Sequence, residues 1–502
     1  QRIFTRHTMN LALLLMLPML LAPALNTELT LMVDPDIWWH LANARILVTT
    51  HHFIHIEPYS FTVAGQPWIN PEWLSELPYW FGMHGLGLRG IYLITWLVLG
   101  ANILFVYWRG YKLSRHAGAA FWAAGIGFLL MLVNSGPRTI AIAYLALSAE
   151  LGILEAGERG KTRLLWLLPP LFCLWINLHG SWLIGMALFV LYLVCGLFTL
   201  RAGVFHQQAF TRQNLIRLLT VLAASIAALI VNPYGWRLIW NPIDMMLNQR
   251  MNIATVAEWQ PLHITSLAGT AMVVSIGLML VANGLRSRQW KIYELAMVVF
   301  AWYAAIDHMR FAFLAAVITT PLLASSLERG IITESDSRTI PAMNALMVAA
   351  AVAVMFFMFP TEAALSQRQA SLFPMKIIAA MQPSWRTYNW DFLGGMMAFQ
   401  SKPDFIDSRF DTFEHHGVMQ DYLRIMQVDR PLPLLEGYGI DHVLVRDVQP
   451  LASLLQATPG WRLEMKENAW EGSYVLYARE PASSRSSAPS NHSAGAMSAP
   501  AQ

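Results

Sequence analysis

Asp34 and Asp36 stand two residues apart and run directly into Ile37, Trp38, Trp39 and His40. Carboxylates beside an imidazole are the parts of general acid–base chemistry. A carboxylate takes the proton of an attacking hydroxyl and also stabilises positive charge growing on a reacting carbon. Further along, isolated polar residues punctuate apolar stretches: Glu72, Arg138, His179 in WINLHG, Arg237 in NPYGWR, Glu258 in EWQP, and His308 with Arg310 in DHMR. Arg and His donors suit a phosphate oxygen that gains charge as a bond to it breaks. Asp34 and Asp36 are the candidate catalytic pair. His40, Glu72, Arg138, His179, Arg237, Glu258, His308 and Arg310 are the candidates for binding a substrate or its phosphate.

The elements that position these residues are set by composition. The chain has 502 residues, 56% hydrophobic and 13% charged. A soluble domain carries about 25% charged residues, so half that fraction over this length indicates a membrane protein. The formal net charge of +3 gives no reason to expect a nucleic-acid partner. Twenty Trp residues suit long membrane–water boundaries. The two cysteines, Cys173 and Cys195, lie in apolar segments and read as small hydrophobes. No glycine-rich phosphate loop is present, so a nucleotide-linked donor is not indicated.

A helix needs about 20 apolar residues to cross the hydrocarbon core. Eleven segments are predicted spans: 9–33, 87–108, 118–133, 139–154, 164–178, 182–200, 216–231, 267–282, 293–306, 312–326 and 343–359. The division between the third and fourth rests only on the turn at 134–138. Lys and Arg cluster at alternate connections (Arg109, Lys112, Arg115; Arg159, Lys161, Arg163; Arg286, Arg288, Lys291). The positive-inside rule makes these cytoplasmic. It places the amino terminus inside, and the loop 34–86 and everything after 360 outside. Every candidate site residue then falls at the outer face.

In the outer loop, Ile37, Leu41, Ala44 and Val48 recur at helical spacing, as do Trp73, Leu77 and Trp80. Two helices lying flat at the interface are expected. Residues 361–480 are expected to form a small α/β domain, with strand-like runs at 405–406, 441–445 and 474–478. The Ser/Ala/Pro-rich stretch 481–502 reads as a disordered tail. The transmembrane domain would then cover 1–360.

Plainer readings exist for each residue. Asp34 or Asp36 serves equally as a helix cap. Trp38 and Trp39 serve as interface anchors, the arginines as residues that snorkel to headgroups, and Asp407, Arg409 and Asp411 as a surface ion-pair cluster. Convergence of several segments on one face is what favours a site. Ionisable residues near membrane depth are costly and tend to line cavities or pair.

A carboxylate base with Arg and His donors in a bilayer fits transfer of a glycosyl group from a phosphate-linked lipid. The segments DPDIWWHLANARIL, EPYSFTVAGQPWINPEWLSEL, WINLHGSW, VNPYGWRL and EWQP, with NWDFLGG, PDFIDSRFD and IDHVLV, carry a resemblance. The chain resembles the C-type (GT-C) membrane glycosyltransferases, and within them a poorly characterised bacterial group. The resemblance implies a polytopic helical fold with an outer carboxy-terminal domain, in the bacterial inner membrane. It implies a polyprenyl-phosphate sugar donor and a glycan, lipid or protein acceptor. It puts the base, or a divalent cation (Mg²⁺ or Mn²⁺) if one is used, at Asp34 or Asp36. Glu57 stands where that group would have Asp. Two other functions compete: a transporter or flippase of a lipid-linked glycan, and a non-catalytic scaffold of an envelope assembly. Transporters gather charge at the midplane between inverted repeats, whereas here it gathers at one rim.

Overall fold

The computed structural model describes residues 34–330, 341–469 and 472–480. The expected first span 9–33 and the expected tail 481–502 lie outside the described residues. The other ten expected spans all coincide with helices. In chain order these are α3 (Leu88–Ser114), α4 (Ala117–Met131), α5 (Thr139–Glu158), α6 (Leu168–Leu178), α7 (Trp182–Cys195), α8 (Arg212–Ala228), α11 (Leu267–Leu285), α12 (Ile292–Asp307), α13 (Ala312–Gly330) and α14 (Pro341–Met358). They follow α1 (Asp36–Thr50) and α2 (Trp73–Leu86), and enclose α9 (Trp236–Asn248) and α10 (Arg250–Thr255). The break at 135–138 separates α4 from α5, so these are two helices.

Five of the described segments are long and apolar enough to cross a bilayer, in or around α3, α4, α5, α11 and α13. A sixth arises if α14 and α15 (Glu362–Leu372), bent by 50° at their junction, count as one. The eleven expected spans are therefore not all of crossing length. The 14 residues of α7 rise about 21 Å, short of a core about 30 Å thick. Hydropathy finds apolar helices without measuring how far each one reaches.

The helix α13 forms the axis of the bundle, with 89% of its apolar window buried. Small residues let its neighbours close in. Gly127 of α4 faces Thr320, and a Cβ on Gly110 of α3 would stand 3.2 Å from the Ala324 Cβ. Packing through small residues is what holds helices together where lipid removes the hydrophobic drive. Large apolar side chains point the other way, with Trp122, Leu280 and Tyr303 each more than 60% exposed.

The carboxy-terminal region is an α/β domain, as expected. Its sheet runs β3 (Thr387–Asn389), β4 (His442–Arg446), β6 (Gly472–Arg479), β5 (Trp461–Ala469), with β3–β4 parallel and the other pairs antiparallel. A small hairpin, β1 (Leu200–Ala202) with β2 (Phe205–Gln207), lies earlier in the chain. The expected strand at 405–406 is instead a buried loop. The Phe405 carbonyl accepts hydrogen bonds from Ser60 and Thr62, and the Ile406 carbonyl accepts one from Asn389. The run was too short to separate a strand from a packed loop.

The interfacial reading of α1 is also corrected. Eight of its first nine residues are buried. Trp38 is fully buried against Phe373 and Phe399, and Trp39 donates to Ser408 Oγ at 3.1 Å. They anchor α1 to the carboxy-terminal domain and not to headgroups. Domain helix α16 (Asp391–Phe399) seats on α1 because Gly395 has no side chain; a Cβ there would stand 2.5 Å from the Pro35 carbonyl. We expect Gly395→Ala to lower the thermal midpoint, a loss of roughly 1–3 kcal/mol for an overpacked contact. An unchanged midpoint would mean this junction yields freely. By contrast α9 does carry an exposed apolar face, where Trp236, Trp240, Met246 and Leu247 are open.

Candidate active site

Asp34 immediately precedes α1, and its Oδ1 accepts the Asp36 backbone N–H at 3.0 Å. Its other oxygen, Oδ2, pairs with Arg138, which stands just before α5. Arg138 pairs on its far side with Glu258. Three segments separated by more than 100 residues thus meet in one ion-pair chain. The two aspartates are not equivalent. Asp34 caps the helix and neutralises an arginine, so the capping reading holds for it. Asp36 sits half-buried in the first turn of α1. Burial, with the Asp34 carboxylate beside it, pushes its carboxyl up to about 6.

One turn on, His40 lies between two glutamates. Its Nδ1 is 2.9 Å from Glu76 Oε1 and its Nε2 is 3.5 Å from Glu72 Oε2. His179, at the end of α6, reaches the other Glu72 oxygen at 3.2 Å, and Thr139 donates to Glu72 as well. Burial alone would raise the Glu72 carboxyl, but His179 and His40 outweigh it and hold it below the ordinary range. Burial likewise opposes a charge on His40, yet Glu76 and Glu72 raise its affinity for a proton. At Glu76 burial prevails and the carboxyl is raised. Asn43 and Asn70 donate to Glu76 at 3.0 and 2.7 Å.

Arg310, at the start of α13, stacks over Trp259 with its guanidinium 4.1 Å from the ring centroid. Its charge acts on Glu72 and Asp36. Among the described residues no carboxylate pairs with Arg310, whereas Arg138 is committed twice. His308 joins through the same tryptophan, its Nδ1 2.5 Å from the Trp259 carbonyl. Arg237 is not brought in; it is exposed on α9, with no ion pair among the described residues. A loop boundary told only that it was near the outer face, not which way its helix turned.

The sequence set omitted Glu76, Thr139, Asn43 and Asn70. The signal for Glu76 was its spacing: four residues after Glu72 at a helix start puts both on one face. Thr139 follows Arg138 directly. The asparagines carried no such mark. A divalent cation at Asp34, if one is used, would displace the partners that this carboxylate already has. Asp34 is engaged by Arg138 and a backbone N–H, and among the described residues no three His, Cys, Asp or Glu side chains gather as metal ligands.

A second buried polar cluster joins the outer loop to the carboxy-terminal domain. Arg409 Nη1 and Nη2 reach Glu57 at 2.8 and 2.9 Å, and Nη2 reaches Asp407 at 2.6 Å. The guanidinium lies 4.7 Å from the Trp68 ring and 5.1 Å from that of Tyr59. The expectation of a surface ion-pair cluster is overturned, since Asp407 and Arg409 are buried at 0% and 4% exposure. The Glu57 side chain, three bonds past its Cβ, is what spans the junction.

No family model matches the chain, and no curated protein matches its sequence. Solved structures do match its fold. The oligosaccharyltransferase AglB of Archaeoglobus fulgidus superposes with a TM-score of 0.52 over 86% of this chain and 69% of its own, at 12% identity. One of its structures holds an inhibitory peptide and dolichol-phosphate. ArnT of Cupriavidus metallidurans, solved with undecaprenyl phosphate bound, superposes with a TM-score of 0.52 over 93% of this chain and 97% of its own, at 14% identity. The fold is that of the GT-C membrane glycosyltransferases.

Proposed function

We propose that the protein transfers a sugar from a polyprenyl-phosphate carrier to an acceptor at the extracytoplasmic face of a bacterial inner membrane. The amino terminus is then cytoplasmic and the carboxy-terminal domain periplasmic. The observation that carries the reading is the half-buried Asp36 carboxyl at the start of α1, beside Asp34 and within reach of the charges of Arg138, His40 and Arg310, with its proton affinity raised. A carboxylate of that affinity accepts a hydroxyl proton near neutral pH more readily than an ordinary aspartate. Asp36 acts as the base on the acceptor hydroxyl while the sugar C1–O bond to the phosphate breaks. Arg310, fork-shaped and without a carboxylate partner among the described residues, receives the departing phosphate with His179 nearby. Arg138, held by Asp34 and Glu258, keeps the loops registered.

The test is transfer by purified protein in lipid, offered a panel of polyprenyl-phosphate sugars, scored by release of the polyprenyl phosphate. Release dependent on an acceptor is the expected result. Failure with every donor by folded protein would move the balance to the scaffold reading. The pH profile follows from Asp36: below about 6 the raised carboxyl is protonated and cannot accept a proton. We expect kcat/KM to rise with pH through about 6 and then level, and a flat profile from 5 to 8 would remove Asp36 as base.

A further inference from the structure

At the opposite end of the bundle from the candidate site, α3, α5, α12 and α13 enclose a cavity of about 350 Å³. Its polar lining contains six basic residues, Arg109, Lys112, Arg159, Arg288, Lys291 and Arg329, against three acidic ones, Glu155, Glu158 and Glu294. Three basic groups are matched: Arg109 with Glu155 at 2.7 Å, Arg288 with Glu294 at 2.7 Å, and Lys291 with Glu158. Lys112, Arg159 and Arg329 have no carboxylate partner among the described residues. The cavity therefore carries three positive charges beyond its own acids.

A second observation is independent of that count. Arg288 is buried, at 6% exposure, and its Nη1 has no hydrogen-bond partner among the described residues. A buried donor without an acceptor is costly, and such donors are rare in folded proteins. The deeper wall is apolar, made by Leu151, Met297, Ile318 and Leu322. A free phosphate would gain nothing from that wall, whereas a lipid would place its chains there and its phosphate among the cations. The basic connections at this end make it the cytoplasmic side.

We propose that this cavity binds the phosphate headgroup of an anionic lipid from the cytoplasmic leaflet. The proposal is separate from the transfer reading and from its site. Basic pockets between spans on this side are suited to such headgroups.

The test is lipid retention by the purified full chain, read by native mass spectrometry with dioleoyl phosphatidylglycerol or dioleoyl phosphatidylcholine added at equal concentration. Wild-type protein is expected to retain the anionic phosphatidylglycerol roughly tenfold better than phosphatidylcholine, and Lys112→Gln/Arg159→Gln/Arg329→Gln to abolish the preference. These three side chains are exposed at the rim, so the triple variant keeps the fold. Arg288→Gln is expected to weaken retention further. Should it fail to fold, the triple variant alone decides. Equal retention of both lipids, or a triple variant that binds as wild type does, would overturn the proposal. So would displacement of the lipid by millimolar inorganic phosphate, because the phosphate group alone would then account for binding.

Discussion

Asp36→Asn is expected to lower sugar transfer by about 10²- to 10⁴-fold, the usual worth of a general base, with no loss of folded yield. The amide keeps the shape of the side chain and cannot accept the proton. Stability is expected to hold or rise, because the Asp36 carboxyl is raised: burial and the Asp34 charge already disfavour its ionised form. Removing a disfavoured charge relieves the fold at the expense of activity, as active-site substitutions commonly do. Asp34→Asn should behave differently. Its carboxylate is 6% exposed and holds both Arg138 and the first N–H of α1. Its loss leaves a half-buried arginine with half its partners, so activity and thermal midpoint should fall together. Measuring kcat, KM and midpoint for both variants separates the base from the positioning residue. Full transfer by Asp36→Asn would remove that residue from the mechanism.

Arg409→Met carries the second large effect. The guanidinium is the sole cation paired with Glu57 and Asp407 among the described residues, and all three are buried. Removing one member of such a group leaves uncompensated charge, which costs about 3–5 kcal/mol. Asp404 raises the stakes. Both of its carboxyl oxygens are buried without a hydrogen-bond partner among the described residues, and burial with the neighbouring Asp407 charge raises its affinity for a proton. We expect the thermal midpoint of Arg409→Met in lipid nanodiscs to fall sharply, with partial recovery on adding Glu57→Gln.

Transfer should fall as well, by a route that can be followed. Glu57 accepts the backbone N–H of Tyr59 at 2.8 Å; the Tyr59 hydroxyl donates to Asn43 at 2.7 Å; Asn43 donates to Glu76, which faces His40. The outer domain thereby braces the loop that carries the site. A midpoint equal to wild type would show that solvent reaches this cluster and screens it.

The candidate site was partly legible because its residues are costly where they stand. Asp34, Asp36, Glu72, Arg138, His179, Glu258 and Arg310 could be picked out as ionisable groups at the ends of apolar segments, and the fold brings them together. Glu76 was legible only through its spacing from Glu72. The different duties of Asp34 and Asp36 were not, since both are aspartates at a helix start, and only the position of Arg138, a hundred residues away, separates them. Arg237 failed for a related reason: the rotation of α9 about its own axis is decided by what packs under it, and there its apolar side turns out.

Hydropathy by itself determined that this chain is a helical membrane protein and where the ten described apolar helices lie, because an apolar run in lipid must satisfy its backbone internally. Composition beyond residue 360 pointed to a small α/β region, and the sheet of β3, β4, β6 and β5 fits it. Only the tertiary structure decided where α1 goes. Its pattern of Trp38, Trp39 and Leu41 reads as well for a helix lying on lipid as for one clasped between two domains. Burial against Phe373, Phe399 and Gly395 settles the matter. The same holds for Glu57, Asp407 and Arg409, polar residues that local pattern assigns to a surface. They are buried because each brings the charge that the others need, and partners some 350 residues apart leave no mark in any local stretch of sequence.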